Sequence, residues 1–195
     1  IHVARNFVDL EDIYEIIDHF VYPLRGHGKL GGKSAGLFLA QKILRIAMKD
    51  SELLRDIKIP QTWYISSNTF QEFLIYNNLK DLFFRKYMDV EYVRQEYPHL
   101  IHLFKNSSFP PEISRSLAGI LEHLGDRPII VRSSSLLEDR MGSSFAGKYK
   151  SLFLTNNGSR KERLEALQDA IAEVYASMFG PDPIEYRAER GLLDI

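Results

Sequence analysis

Cysteine does not occur anywhere in the 195 residues. Its absence excludes disulfides and thiolate metal sites and fits a reducing, cytoplasmic setting. There is also no apolar run approaching the roughly 20 residues of a membrane span, and no biased or repetitive tract. Neither a membrane partner nor a long disordered arm is expected. A surplus of charge is missing as well: 25 Lys and Arg stand against 26 Asp and Glu, a formal net charge of −1. Without a basic excess there is no general attraction for nucleic acid, so any phosphate binding has to come from local groups. The chain opens on Ile1 rather than Met, which reads as a processed or excised piece. What is present is an ordinary globular balance, 45% hydrophobic and 26% charged. At this length it can bury a real core in one large domain or two small ones.

Apolar periodicity predicts helices joined by a few short strands. Asp9 caps a helix over 9–21 with Leu10, Ile13, Ile17 and Phe20 on one face. A second helix runs to about Met48 with Leu39, Ile43, Ile46 and Ala47 inward. A short strand around Thr62–Ile65 precedes a helix capped by Ser67 or Asn68 and carrying Phe70, Phe73 and Leu74. Residues 80–108 read as irregular helices, broken by Pro98. "FPPEISRSLAGILEHLGDRP" is a helix with Ile113, Leu117, Ile120, Leu121 and Leu124 on its face and Gly125 as C-cap. "PIIVRSS" is a buried strand, and "GKYKSLFLT" alternates as a second one. A last helix over 160–179 carries Leu164, Leu167, Ile171, Val174, Tyr175 and Met178 and stops at Gly180 and Pro181. Strands and helices mix without a regular βαβ repeat. The fold class expected is α+β, a small mixed sheet packed with several amphipathic helices.

Two stretches could carry chemistry. "LRGHGKLGGKSAGLFLAQKIL" (24–44) has Gly31-Gly32-Lys33-Ser34 leading into a helix that starts at Ser34 or Ala35. The strict phosphate-loop spacing G-x-x-x-x-G-K-[ST] fails, because His27 stands where the first glycine belongs. Its physics can still operate: glycines let backbone N–H groups approach an anion, the helix adds its positive end, and Lys33 adds a point charge. Taken alone, a glycine-rich loop entering an ordinary helix accounts for the stretch as well as an anion site does. The other stretch is "IIVRSSSLLEDRMGSSFAGKYKSLF" (129–153). Four apolar residues deliver Arg132 to a strand end, and Ser133 and Ser134 follow. A guanidinium fits phosphate oxygens bidentately and serine hydroxyls add donors. Arg132 paired with a carboxylate is the plainer alternative for that residue, and Glu138 and Asp139 are placed to pair with Arg132, Arg140 and Lys148. Gly142 and Gly147, among small neighbours, mark a loop that something approaches closely.

These segments resemble the nucleotide-binding domain of the phosphoenolpyruvate synthase and pyruvate phosphate dikinase family. "LGGKSAGL" is similar to the family's glycine-glycine-lysine segment, and "VRSSSLLEDRMGSSFAGKYKSLF" to its V-R-S-S-A-T-x-E-D-x-x-x-x-S-F-A-G-Q run. "IPQTWYISSNTFQEFL" and "VYASMFGPDPIEYRAERG" resemble connecting pieces, so the likeness extends from about Gly31 to Gly191. The resemblance implies that residues 1–195 are the N-terminal part of an ATP-grasp-type domain. It implies that Lys33 and Arg132, with Gly31, Gly32, Ser133 and Ser134, hold ATP phosphates, and that Gly147 and Ser151 line the nucleotide. In such chemistry ATP phosphorylates a histidine on a separate swivelling domain, which passes the group to pyruvate or another acceptor. Magnesium would accompany ATP, with its ligands expected downstream of Ile195, together with phosphohistidine and acceptor-binding domains. The fragment itself is then expected to be inactive, with no catalytic residue of its own. Ser135-Leu136 replaces the usual Ala-Thr, and Lys148 the usual Gln. These departures leave open a non-catalytic, nucleotide-sensing module in a larger signalling protein.

Other constellations are weaker. Glu96, His99 and His102 have metal-like spacing, but Pro98 interrupts the helix that would align them, and no metal site is expected. "FFRKYMDVEYVRQEY" mixes bases with aromatics, yet its acids cancel the charge, so it reads as a solvated helix rather than a nucleic-acid surface.

Overall fold

The structure, a computed structural model, describes residues 6–23, 31–134 and 147–192. Helix α1 (Leu10–Asp18) starts in a capping box: the Asp9 carboxylate accepts from the Asp12 N–H, and the Asp12 carboxylate accepts from the Asp9 N–H. Strand β1 (Phe20–Val21) pairs in parallel with β2 (Tyr64–Ile65), and helix α2 (Gly32–Asp50) lies between them in the chain. Helix α3 (Ser67–Tyr76) is capped by Ser66, one residue earlier than the sequence suggests. The Thr69 hydroxyl donates to the Val21 carbonyl oxygen at 3.1 Å, tying α3 to β1. A 3₁₀ segment over Lys80–Tyr87 leads to α4 (Val90–Lys105), then α5 (Pro111–Leu124), β3 (Ile129–Arg132), β4 (Ser151–Leu154), α6 (Arg160–Ser177) and α7 (Pro181–Glu189). The architecture is α+β, and among the described residues its strands form two separate two-stranded ribbons, one parallel and one antiparallel. No helix among the described residues is long and apolar enough to cross a membrane.

The core lies among α3, α4, α5 and α6. Phe73, Phe104, Ile113, Leu117, Leu121, Leu167 and Ile171 are buried together. Phe73 sits at its centre, with its ring centroid 4.8 Å from that of Phe109 and 5.6 Å from that of Phe104. Apart from Phe104 and Phe109, these residues stand on the apolar faces that periodicity marks. Pro98 does not break α4: the helix runs through it. Pro98 is exposed, while Val93, Leu100 and Phe104 on the opposite side are buried. That packing outweighs one missing backbone hydrogen bond, whose carbonyl partner water can satisfy.

The first two helices depart from expectation. Leu10, Ile13 and Ile17 are exposed, α1 buries no residue, and the one residue that α2 buries is Lys42. Ile46, expected inward, is exposed, and Leu39, Ile43 and Ala47 are only half-buried. What joins α1 to α2 is a cluster of charges. The Lys42 ammonium bonds both Asp12 and Glu15, and Arg45 reaches Glu15 at 2.8 Å. Burial alone would raise the Asp12 pKa, but the hydrogen bonds from Lys42 and Asp9 and the nearby cations hold it below the usual range. Glu15 is lowered chiefly by its hydrogen bonds to Lys42 and Arg45. Burial would lower Lys42, and its two carboxylate partners raise it instead. Carboxylates with depressed pKa values contribute stability above their unfolded pKa and lose it as pH falls through the folded one. A lysine with a raised pKa contributes below its unfolded value and loses it as pH climbs through the folded one. The cluster therefore stabilises most across neutral pH and weakens at both ends. In urea melts, lowering pH from 6 to 3 is expected to cost wild type on the order of 1 kcal/mol more than Lys42→Met. The figure stays small because Glu15 is 40% exposed and solvent screens it.

Candidate functional site

The site forms where the start of α2 meets the end of β3. Helix α2 begins at Gly32 with Gly31 as its N-cap, two residues before the sequence suggests. Gly31 has no side chain to cap the first turn, and the cap comes from elsewhere. Ser134, 100 residues away in the chain, accepts a hydrogen bond on its Oγ from the Ser34 N–H at 2.9 Å. The Ser34 hydroxyl also donates to that oxygen, at 2.8 Å. Ser134 thus takes the place of an N-cap side chain at the third position of the turn. Having accepted twice, it keeps its own O–H proton as a donor. The approach is close enough to require glycine at 31. A Cβ there would lie 1.5 Å from the Ser134 carbonyl oxygen and 2.5 Å from its Oγ.

Arg132 and Ser151 come together on the antiparallel ribbon. The register pairs Ile129 with Leu154, Ile130 with Phe153, Val131 with Leu152 and Arg132 with Ser151. Helix α6 packs against both strands, and among the described residues burial alternates along each of them. Ile129, Val131 and Leu154 turn to the core, while Ile130 and Arg132 face outward. The strand expected to be buried is therefore half-buried. Its run of apolar residues imitates a two-sided strand, because Ile130 is spent on the open face. Arg132 is exposed and enters no ion pair among the described residues. The carboxylates that the sequence places to pair with it, Glu138 and Asp139, lie outside the described residues, as do Arg140 and Gly142.

Neighbouring contacts hold the ribbon in place. Asn156, at a positive φ of 59°, donates its amide to the Gly125 and Arg127 carbonyl oxygens at 2.8 and 2.9 Å and accepts from Arg163. This clamps the open end of the hairpin. At the other end, the Lys150 N–H donates to Ser177 Oγ, and its ammonium meets Glu173 at 2.7 Å, anchoring the residue before Ser151 to α6. Tyr97 lies in the same electrostatic neighbourhood. Burial, and then the charges of Glu173 and Asp182, push its hydroxyl up to about 12. Gly147 adopts a left-handed φ of 74° with open space where a side chain would be. Lys148, the added cation, stands 5.4 Å from the Tyr186 ring on α7.

Lys33 sits half-buried in the first turn of α2, beside Gly32 and Ser34. The structure thus brings Gly31 and Ser34 against Ser134, with Gly32 and Lys33 between them in the same turn, and pairs Arg132 with Ser151. Ser133 links the two groups along the chain. Sequence reasoning expects Gly31–Ser34 and Arg132–Ser134 to meet, and they do, through Ser34 and Ser134; what it does not single out is that Ser134 caps the helix. It also missed the outward pair Ile130 and Phe153. Among the described residues no group of three or more His, Asp or Glu could hold a metal ion. Glu96, His99 and His102 form no such site, even though α4 is continuous.

In this α+β domain the start of α2, which carries Lys33, and the end of β3, which carries Arg132, thus meet through Ser34 and Ser134. The chain belongs to the family described as the pyruvate phosphate dikinase AMP/ATP-binding domain, whose model matches residues 27–194. Among curated proteins it is similar to phosphoenolpyruvate synthase of Aquifex aeolicus (strain VF5), 27% identical over 178 residues. It is also similar to phosphoenolpyruvate synthase of Neisseria meningitidis serogroup B, 24% identical over 174 residues. The matches cover 83% and 84% of this chain but 18% and 20% of those proteins, so the chain spans about a fifth of their length. No solved structure matches it.

Proposed function

We propose that this chain is the ATP-binding part of a phosphotransferase of the phosphoenolpyruvate synthase and pyruvate phosphate dikinase kind. In this reading it is the first portion of an ATP-grasp-type unit. ATP bound here phosphorylates a histidine on a separate swivelling domain, and that domain delivers the group to pyruvate or another acceptor. The observation that carries the reading is the closure of Gly31–Ser34 onto Ser134, with Arg132 two residues away. The Arg132 fork and the Lys33 ammonium neutralise phosphate oxygens, the start of α2 contributes its positive end, and the Ser134 hydroxyl donates. The magnesium that accompanies ATP is assigned to ligands elsewhere in the full-length protein. Gly147 and Ser151 line the nucleotide. Calorimetric titration with ATP tests this. Lys33→Ala is expected to weaken binding about tenfold, the size of one charge-assisted contact, at unchanged melting temperature. Equal affinity in wild type and variant would remove Lys33 from the site.

A further inference from the structure

We propose that the outward pair Ile130 and Phe153 is the seat of the nucleobase, so that the nucleotide lies along the β3–β4 ribbon. This rests on the reading that the domain binds ATP, and it names the part of the surface that distinguishes a nucleotide from a bare polyphosphate. Phe153 is 81% exposed and Ile130 45% exposed, and the two are direct cross-strand partners. They form a flat apolar step on a face that otherwise carries the Arg132 and Ser151 pair. Side chains on one face recur every second residue, so that polar pair stands about 7 Å further along. Ser134, with the start of α2, lies two residues beyond Arg132. Apolar step, then the Ser151 hydroxyl, then the Arg132 fork with the helix N-terminus is the order in which base, sugar and phosphates follow one another in a nucleotide.

At its other end the step borders a shallow recess of about 370 Å³, in which Phe153, Pro128 and Leu154 meet the polar groups of Asp126 and Asn157. An aromatic ring beside a carboxylate and an amide suits a purine, which stacks by its face and hydrogen-bonds by its edge. Among the described residues the patch is small for a protein partner. A stable protein interface buries more than about 1,000 Å², and two side chains supply a fraction of that.

The test is calorimetric titration of wild type, Phe153→Ala and Phe153→Tyr with ATP and, separately, with tripolyphosphate, which has no base. Phe153→Ala is expected to lower ATP affinity about tenfold while leaving tripolyphosphate affinity and melting temperature unchanged. Phe153→Tyr, which keeps the ring, is expected to bind ATP like wild type. An alanine variant that binds ATP as wild type does, or loses both ligands equally, overturns the base seat and leaves the phosphate site standing. So does one that alters self-association in sedimentation at unchanged ATP affinity, since the pair would then belong to a second copy. Wild-type protein that binds neither ligand overturns the ATP reading and the base seat with it.

Discussion

Replacing Gly31 with alanine is expected to lower ATP affinity roughly a hundredfold, as much as the most damaging side-chain deletion in the site. The new methyl group would fall 1.5 Å from a backbone carbonyl oxygen and 2.3 Å from its carbon. Backbone cannot swing aside as a long side chain can, so the start of α2 has to separate from Ser134. Relief of such overpacking costs on the order of 2–3 kcal/mol, and it breaks both hydrogen bonds to Ser134. Ser134→Ala is the control, because it removes the same two bonds without the clash and should cost about tenfold. Titration with ATP and a thermal melt of each variant check this. If Gly31→Ala binds as well as Ser134→Ala, the close approach does not matter to the ligand.

Arg132→Ala is expected to weaken ATP binding ten- to hundredfold, for a charge-assisted contact of about 1.5–3 kcal/mol. Arg132→Lys should recover little of this. An ammonium keeps the charge but cannot present two parallel N–H groups to one phosphate. The core should not notice either change, because Arg132 is exposed at the end of its strand and Phe73, Ile113 and Leu117 lie on the other side of the ribbon's packing. ATP affinities for the three proteins, with melting temperatures alongside, settle it. Full rescue by lysine would mean that a general positive potential, not a shaped fork, holds the phosphates.

The helical core was legible because its signal is redundant. Phe70, Phe73 and Leu74, or Ile113, Leu117 and Leu121, repeat at the helical period, and each repeat points to the same burial. The pairing of the two donor-rich segments was legible for a different reason: each places several hydrogen-bond donors at the end of an element, where a core has no use for them. What could not be read was anything decided between distant segments. Ser66 rather than Ser67 caps α3, because the true boundary follows the tie of Thr69 to Val21. Pro98 stays within α4 because its far side is buried, which a local rule about proline does not see. The run Ile129–Val131 reads as buried, since a sequence does not reveal that helices cover only one face of a ribbon. The apolar stripe of α1 predicts a partner that the described residues do not supply.

The tie between Ser34 and Ser134 also orders events in time. A chain made from its N-terminus exposes Gly31–Ser34 long before Ser134 has been synthesised. Until then the first turn of α2 has a glycine at its boundary and no capping oxygen, and it frays. The same serine that finishes the helix brings Arg132 with it, so the helix end and the arginine take their places together. The proposed phosphate site therefore needs both segments, and it is complete only once the β3 segment has docked against the start of α2.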